Sequence, residues 1–203
     1  MQTHFLFDVL EGYQPFEQIA EESRRDGAVI AASGLAGAQK AHLACALAAR
    51  TGRPLVFLCD SERSAAQTME DVSALMGGGV SLFPAREITF YQDVAASRDV
   101  AYRRIEAMRK LVSGEVRAIV APVDAMLHRV MPRAVFSANT ISLRVGDVLP
   151  TDQLIERLLA AGYTREYMVE GKGQFSVRGG IVDIYPADAL SAVRIEFFDD
   201  ELD

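Results

Sequence analysis

The sequence predicts an α/β protein: a Rossmann-like parallel sheet with helices on both faces, followed by a smaller α+β domain with a mostly antiparallel sheet. Three observations carry this. The first part alternates short apolar runs with helix-like segments, the pattern of a covered parallel sheet. Near Pro132 the pattern changes to strand-like runs around a single helix. Between the first apolar run, "AVIAAS", and the first long helix lies "GLAGAQKA", a glycine turn followed by a lysine, which is how a phosphate-binding loop begins.

Taken in order, Ala28 to Ala32 reads as a buried strand. Ala38 to Arg50 reads as a helix rich in alanine and leucine, ended by Gly52 and Pro54. Leu55 to Cys59 is a second buried strand. Ser61 caps a helix to about Met76, stopped by Gly77, Gly78 and Gly79. Val80 to Phe83 is a short strand, and Pro84 to Ala96 is irregular. Ser97 caps a helix through about Val112, and Val116 to Ala121 is another buried strand. In the second part, Thr140 to Val145 alternates like a half-exposed strand. Thr151 caps a helix to about Ala161, ended by Gly162. Strand-like runs follow at Tyr163 to Glu170, at Gln174 to Tyr185 with a break at Gly179-Gly180, and at Val193 to Phe198. The expected domains are residues 1–125 and 126–203.

The 203 residues carry a net charge of −7. The 125 residues of the first part hold 13 basic and 16 acidic side chains, and the rest hold 8 and 12. Neither part has the basic excess of a module that grips nucleic acid through phosphates. No apolar run is long enough to span a bilayer, and the N-terminus lacks the basic flank and long apolar core of a signal peptide. Cys45 and Cys59 sit in apolar surroundings without metal-ligand spacing, which reads as two buried thiols in a cytoplasmic protein. The ending "VRIEFFDDELD" follows directly on a strand-like run, so the chain is expected to be a piece of a longer protein.

The glycine loop is a departure from G-x-x-x-x-G-K-[ST]. Gly34 and Lys40 keep the offset and Gly37 supports the turn. Gln39 stands where the second glycine belongs, and Ala41 where a hydroxyl would meet magnesium. A side chain at Gln39 crowds the phosphate path. Asp60 and Asp124 follow apolar strands, where a metal-holding carboxylate would stand, but each equally suits a cap or turn. The residues leave two readings open: a nucleotide loop that tolerates these changes, or a strand-to-helix turn that binds none.

The second signal is "YTREYMVEGKGQFSVRGGIVDIYPAD". If its strands pair, Arg165, Arg178, Phe175 and Tyr185 come near one another, with Tyr167 and Lys172 as neighbours. Arginine and aromatic clusters suit protein interfaces. Solvated arginines beside an edge strand, with Tyr185 in the core, are the other reading.

The segments "SGLAGAQKA", "FPAREITFYQD", "AIVAPVDAMLHRVMP", "GYTREYMVEGKGQFSVRGGIVDIYPAD" and "IEFFDDELD" resemble the N-terminal module of the bacterial transcription-repair coupling factor family (Mfd), which is similar to the first domains of the repair protein UvrB. UvrB has an intact phosphate loop and a long aromatic hairpin after the segment matching "FPAREITFYQD". This chain has neither the loop residues nor, between Tyr91 and Ser97, the length for the hairpin. Both departures resemble the coupling factors, where the module is a degenerate, non-hydrolysing copy.

The resemblance implies a non-catalytic platform that binds UvrA and brings excision repair to stalled RNA polymerase. The contacts it implies fall on Arg165, Arg178 and Tyr185, with Phe175 beside them. It implies no catalytic residue, metal or cofactor here. ATP, magnesium, RNA polymerase and double-stranded DNA belong to other domains of the parent. The alternative is a UvrB-type or other phosphate-loop ATPase that binds ATP through Gly34–Ala41.

Overall fold

The computed structural model describes residues 5–86 and 98–203. The stretch between Tyr91 and Ser97, and the cap expected at Ser97, lie outside them. The described residues form two compact units. One holds residues 5–86 and Lys110–Arg129; the other holds 98–109 and Val130–Asp203.

The first unit opens with two short helices, α1 (Phe5–Asp8) and α2 (Gln14–Glu22), the latter with Pro15 in its first turn. Helix α3 runs Ala38–Thr51 and stops at Gly52, whose φ of 71° closes the helix with a left-handed residue. Strand β1 (Leu55–Cys59) leads to α4 (Glu62–Met76). Ser61 caps α4, its side chain accepting from the Ser64 backbone while the Ser64 hydroxyl accepts from the Ser61 N–H. Gly77 ends it in the left-handed region. Strand β2 (Val80–Leu82) follows. Helix α5 (Asp99–Ser113) gives its residues through Arg109 to the second unit and the remainder to the first. Strand β3 (Ala118–Pro122) and α6 (Val123–Met126) complete this unit.

All strand pairs here are parallel, in the order β1-β3-β2, with Leu55 opposite Ala118 and Val80 also opposite Ala118. The core joins Ala41 and Cys45 of α3, Ala65 and Val72 of α4, and Cys59, Ala118 and Val120 of the sheet.

Two expectations fail in this unit. Residues 28–32 form no strand, and Val29 is 96% exposed. An apolar run becomes a strand only where a neighbour supplies ladder partners, and no described strand pairs with it. The expected cover on both sheet faces holds at the central β3, buried throughout, but not at β1. There Val56 and Leu58 remain 60% and 50% exposed, while Phe57 packs against the core.

The second unit contains α7 (Arg133–Ala138), which sequence reading missed, and α8 (Thr151–Ala160). Pro150, not Thr151, is the cap of α8, and it offers its carbonyl to the N–H of Leu154. Strands β4 (Thr164–Arg165), β5 (Gln174–Arg178), β6 (Ile181–Ile184), β7 (Val193–Phe198) and β8 (Glu201–Leu202) form a sheet in chain order. Only β4 and β5 run parallel; the other pairs are antiparallel. The strand expected over Tyr163 to Glu170 is therefore two residues long. That expected at Thr140 to Val145 is absent: Ile141 and Leu143 turn toward the core, but the segment joins no ladder. Leu154 and Leu158 of α8 pack on Phe175, Val182 and Ile184.

Candidate docking site and the glycine loop

The glycine turn precedes α3 as its spacing predicts. Gly34 and Gly37 have φ of 79° and 40°, conformations that favour glycine. The Gln39 side chain does not extend from the turn. Its Oε1 accepts a hydrogen bond from the Ala36 N–H at 3.0 Å, so one backbone donor of the turn is already occupied from within. Lys40 is exposed. Ala41 is buried in the core beside Cys45. A hydroxyl there would enter an apolar cluster, which is unfavourable without a partner.

Asp60 is held by the adjacent helix cap, accepting from the hydroxyls of Ser64 and, at 3.1 Å, Ser61. These bonds favour its ionised form and lower its pKa. Asp124 lies exposed in the first turn of α6. Among the described residues no group of three or more His, Cys, Asp or Glu is placed to hold a metal ion.

In the second unit the arginine-bearing stretch is organised by its ladder. Residues Arg178 and Ile181 face each other across the β5–β6 hairpin, joined by Gly179 and Gly180. Glycine is required at 180: a Cβ would stand 2.8 Å from the Phe197 carbonyl oxygen of β7. The loop between β4 and β5 is fixed at two points. The Gln174 Oε1 accepts from the N–H groups of Glu170 and Gly171, each at 2.9 Å. The Tyr102 hydroxyl donates to the Lys172 carbonyl at 2.9 Å.

Arg165 of β4 is exposed and in register with Phe175. Tyr185 continues the β5–β6 ladder, its N–H bonding to the Gln174 carbonyl. Its half-buried ring sends the hydroxyl to the Leu190 carbonyl at 2.9 Å. Arg178 lies three residues beyond Phe175, about 10 Å along the strand. Its guanidinium meets Tyr167 twice: an N–H donates to the Tyr167 carbonyl at 3.2 Å, and the group lies 5.5 Å from the ring centre. Among the described residues neither Arg165 nor Arg178 forms an ion pair.

Phe175 departs from the expected cluster. It is 0% exposed, at the centre of the core, and offers no contact surface. Alternation decides this, since Phe175 and Val177 face the core formed with α8, while Arg178 lies on the opposite face of the strand and is exposed.

Sequence reading missed Asp183 and Arg194, directly opposite on β6 and β7. The Arg194 guanidinium grips both carboxylate oxygens, at 2.7 and 3.0 Å. Hydrogen bonding to Arg194 holds the Asp183 carboxyl below its ordinary pKa. The available signal was opposite charge at outward positions of two adjacent strands. A separate open cavity of about 980 Å³ in this unit is lined by Tyr102, Ile105, Leu158 and Tyr163, but by none of the arginines expected to dock a partner.

The stretch that forms this small sheet is also the part of the chain that a family model matches. Residues 141–203 match the UvrB interaction domain, which defines the class. Across most of its length the chain is similar to transcription-repair-coupling factors. It is 34% identical to that of Bacillus subtilis over 84% of this chain and 15% of the relative. To that of Myxococcus xanthus it is 32% identical over 95% of this chain and 17% of the relative. It is also 29% identical to the UvrABC system protein B of Dechloromonas aromatica, over 84% of this chain and 27% of that protein. The chain belongs to the transcription-repair-coupling factor family, as an N-terminal UvrB-homology module. It spans less than a fifth of the coupling factors quoted.

Proposed function

We propose that this module is a non-catalytic docking platform that binds UvrA and thereby recruits excision repair to stalled RNA polymerase. The observation that carries the reading is the pair of exposed arginines, Arg165 and Arg178, which form no ion pair among the described residues, on the sheet of the matched interaction domain. Such guanidiniums suit bidentate bonds to carboxylates of a partner. Tyr185 supplies a ring at the same sheet, and its hydroxyl is already satisfied, so docking leaves no buried polar group unpaired. The division of labour follows residues 1–125 as scaffold and 126–203 as docking domain. Polymerase and DNA binding, and the ATP-driven activity, belong to other parts of a cytoplasmic parent.

The glycine loop supports the non-catalytic half of this reading. Gln39 occupies the Ala36 donor and Ala41 belongs to the core, which supports reading the turn as a degenerate phosphate loop. Titration with magnesium-ATP tests this. No micromolar affinity is expected, and micromolar binding lost in Lys40→Ala would establish the ATPase alternative instead.

The direct test is capture of UvrA by this chain beside Arg165→Glu and Arg178→Glu. Each reversal opposes like charges at a desolvated contact. The expected loss is at least about 2 kcal/mol, roughly thirtyfold in affinity. Unchanged binding in both would remove the assignment of this surface.

A further inference from the structure

We propose that Tyr167 is a positioning residue for Arg178, holding its guanidinium in the orientation that binds a partner carboxylate. The inference rests on the docking reading above. Tyr167 is an unusual surface residue: its side chain is an aromatic ring and it is 91% exposed. Water gains little from such a ring, so an arrangement that gives it a cationic neighbour is informative. The ring and the main chain of the same residue both engage Arg178. The ring lies 5.5 Å from the guanidinium carbon, and the Tyr167 carbonyl accepts an N–H at 3.2 Å.

This two-point hold has a chemical consequence. A ring takes the flat face of a guanidinium, and a carbonyl takes one of its edge donors. The remaining edge keeps its N–H groups in one plane, the geometry that pairs bidentately with a carboxylate. A free arginine must give up rotamer freedom when it binds; one already held gives up less. Asp183 and Arg194 complete the device. Asp183 faces the same side of the sheet as Arg178 and is a built-in competitor for it, but Arg194 occupies both its oxygens. The partner chemistry is therefore an Asp or Glu side chain on a protein surface.

Tyr167 could instead touch the partner by itself, and a double-mutant cycle separates the two. UvrA is titrated with the 203-residue chain and with Tyr167→Ala, Tyr167→Phe, Arg178→Ala and the Tyr167→Ala/Arg178→Ala double variant. Arg178→Ala is expected to weaken binding about tenfold or more. Tyr167→Ala should weaken it about three- to fivefold in the parent, but add nothing once Arg178 is gone. Tyr167→Phe keeps the ring and the carbonyl, and should bind within about twofold of the parent. If Arg178→Ala binds as the parent does, the docking surface is wrong and the inference falls with it. If Arg178→Ala loses affinity while Tyr167→Ala does not, or the two losses add, only the positioning role is overturned.

Discussion

The glycine loop of the first unit and the arginine hairpin of the second are both polar features that the sequence singles out, but their polar groups end differently. In the loop the Ala36 donor is satisfied three residues away by Gln39, and Ala41 is part of the core. In the hairpin Arg165 is exposed, and Arg178 makes exposed contacts to Tyr167. A donor satisfied internally must break a bond before it can serve a ligand. An exposed guanidinium held by weak contacts has little to lose. The difference teaches that a motif is read by where its hydrogen bonds go, not by its spacing alone.

The comparison breaks most severely if the platform beneath the arginines is removed. Phe175→Ala empties a fully buried ring site between α8 and the sheet and should destabilise the second unit by about 3–5 kcal/mol. Urea unfolding followed by a probe in each unit should show the second melting early and the first unchanged; equal shifts in both would mean the cores are not independent. A smaller break comes at the hairpin turn. Gly180→Ala forces a Cβ against the Phe197 carbonyl and should cost about 1–3 kcal/mol, read as a lower unfolding midpoint. An unchanged midpoint would show that the strands part without penalty.

Arg194→Ala sharpens the picture through pH. A carboxylate whose pKa is lowered on folding stabilises the fold fully above its unfolded pKa, about 3.9. That stability fades as pH falls through the folded value. Arg194→Ala should therefore be slightly less stable than the parent near neutral pH, the effect being small because the arginine is largely exposed. The gap should close in acid below about pH 4; a gap that persisted there would point to packing rather than charge. Least visible is the closed core of the first unit. Burial pushes the Cys45 thiol up to about 11, so it should react with a thiol reagent at pH 8 only as the unit opens. Rapid labelling in native conditions would contradict that.

Much of the architecture was legible because local chemistry fixes it. Ser61 and Gly77 bracket α4 by satisfying the backbone groups a helix leaves free, and both act as their residue types suggest. The β5–β6 hairpin is set by a glycine pair between two apolar runs. The candidate surface was partly legible: Arg165 and Arg178 are outside, but Phe175 is inside, because strand alternation separates it from Arg178 by an odd number of steps. Tyr167 was only a neighbour in the sequence, and its hold on Arg178 depends on β4 running parallel to β5.

By itself the sequence determined the two kinds of sheet, the limits of α3 and α4 and the turn at Gly34 and Gly37, since each depends on groups close together in the chain. Tertiary structure alone decided that residues 28–32 stay unpaired, that Val56 and Leu58 stay uncovered, and that Arg194 neutralises Asp183. Those outcomes turn on which distant segment arrives as a neighbour, and an apolar run or a lone charge does not encode its partner's address.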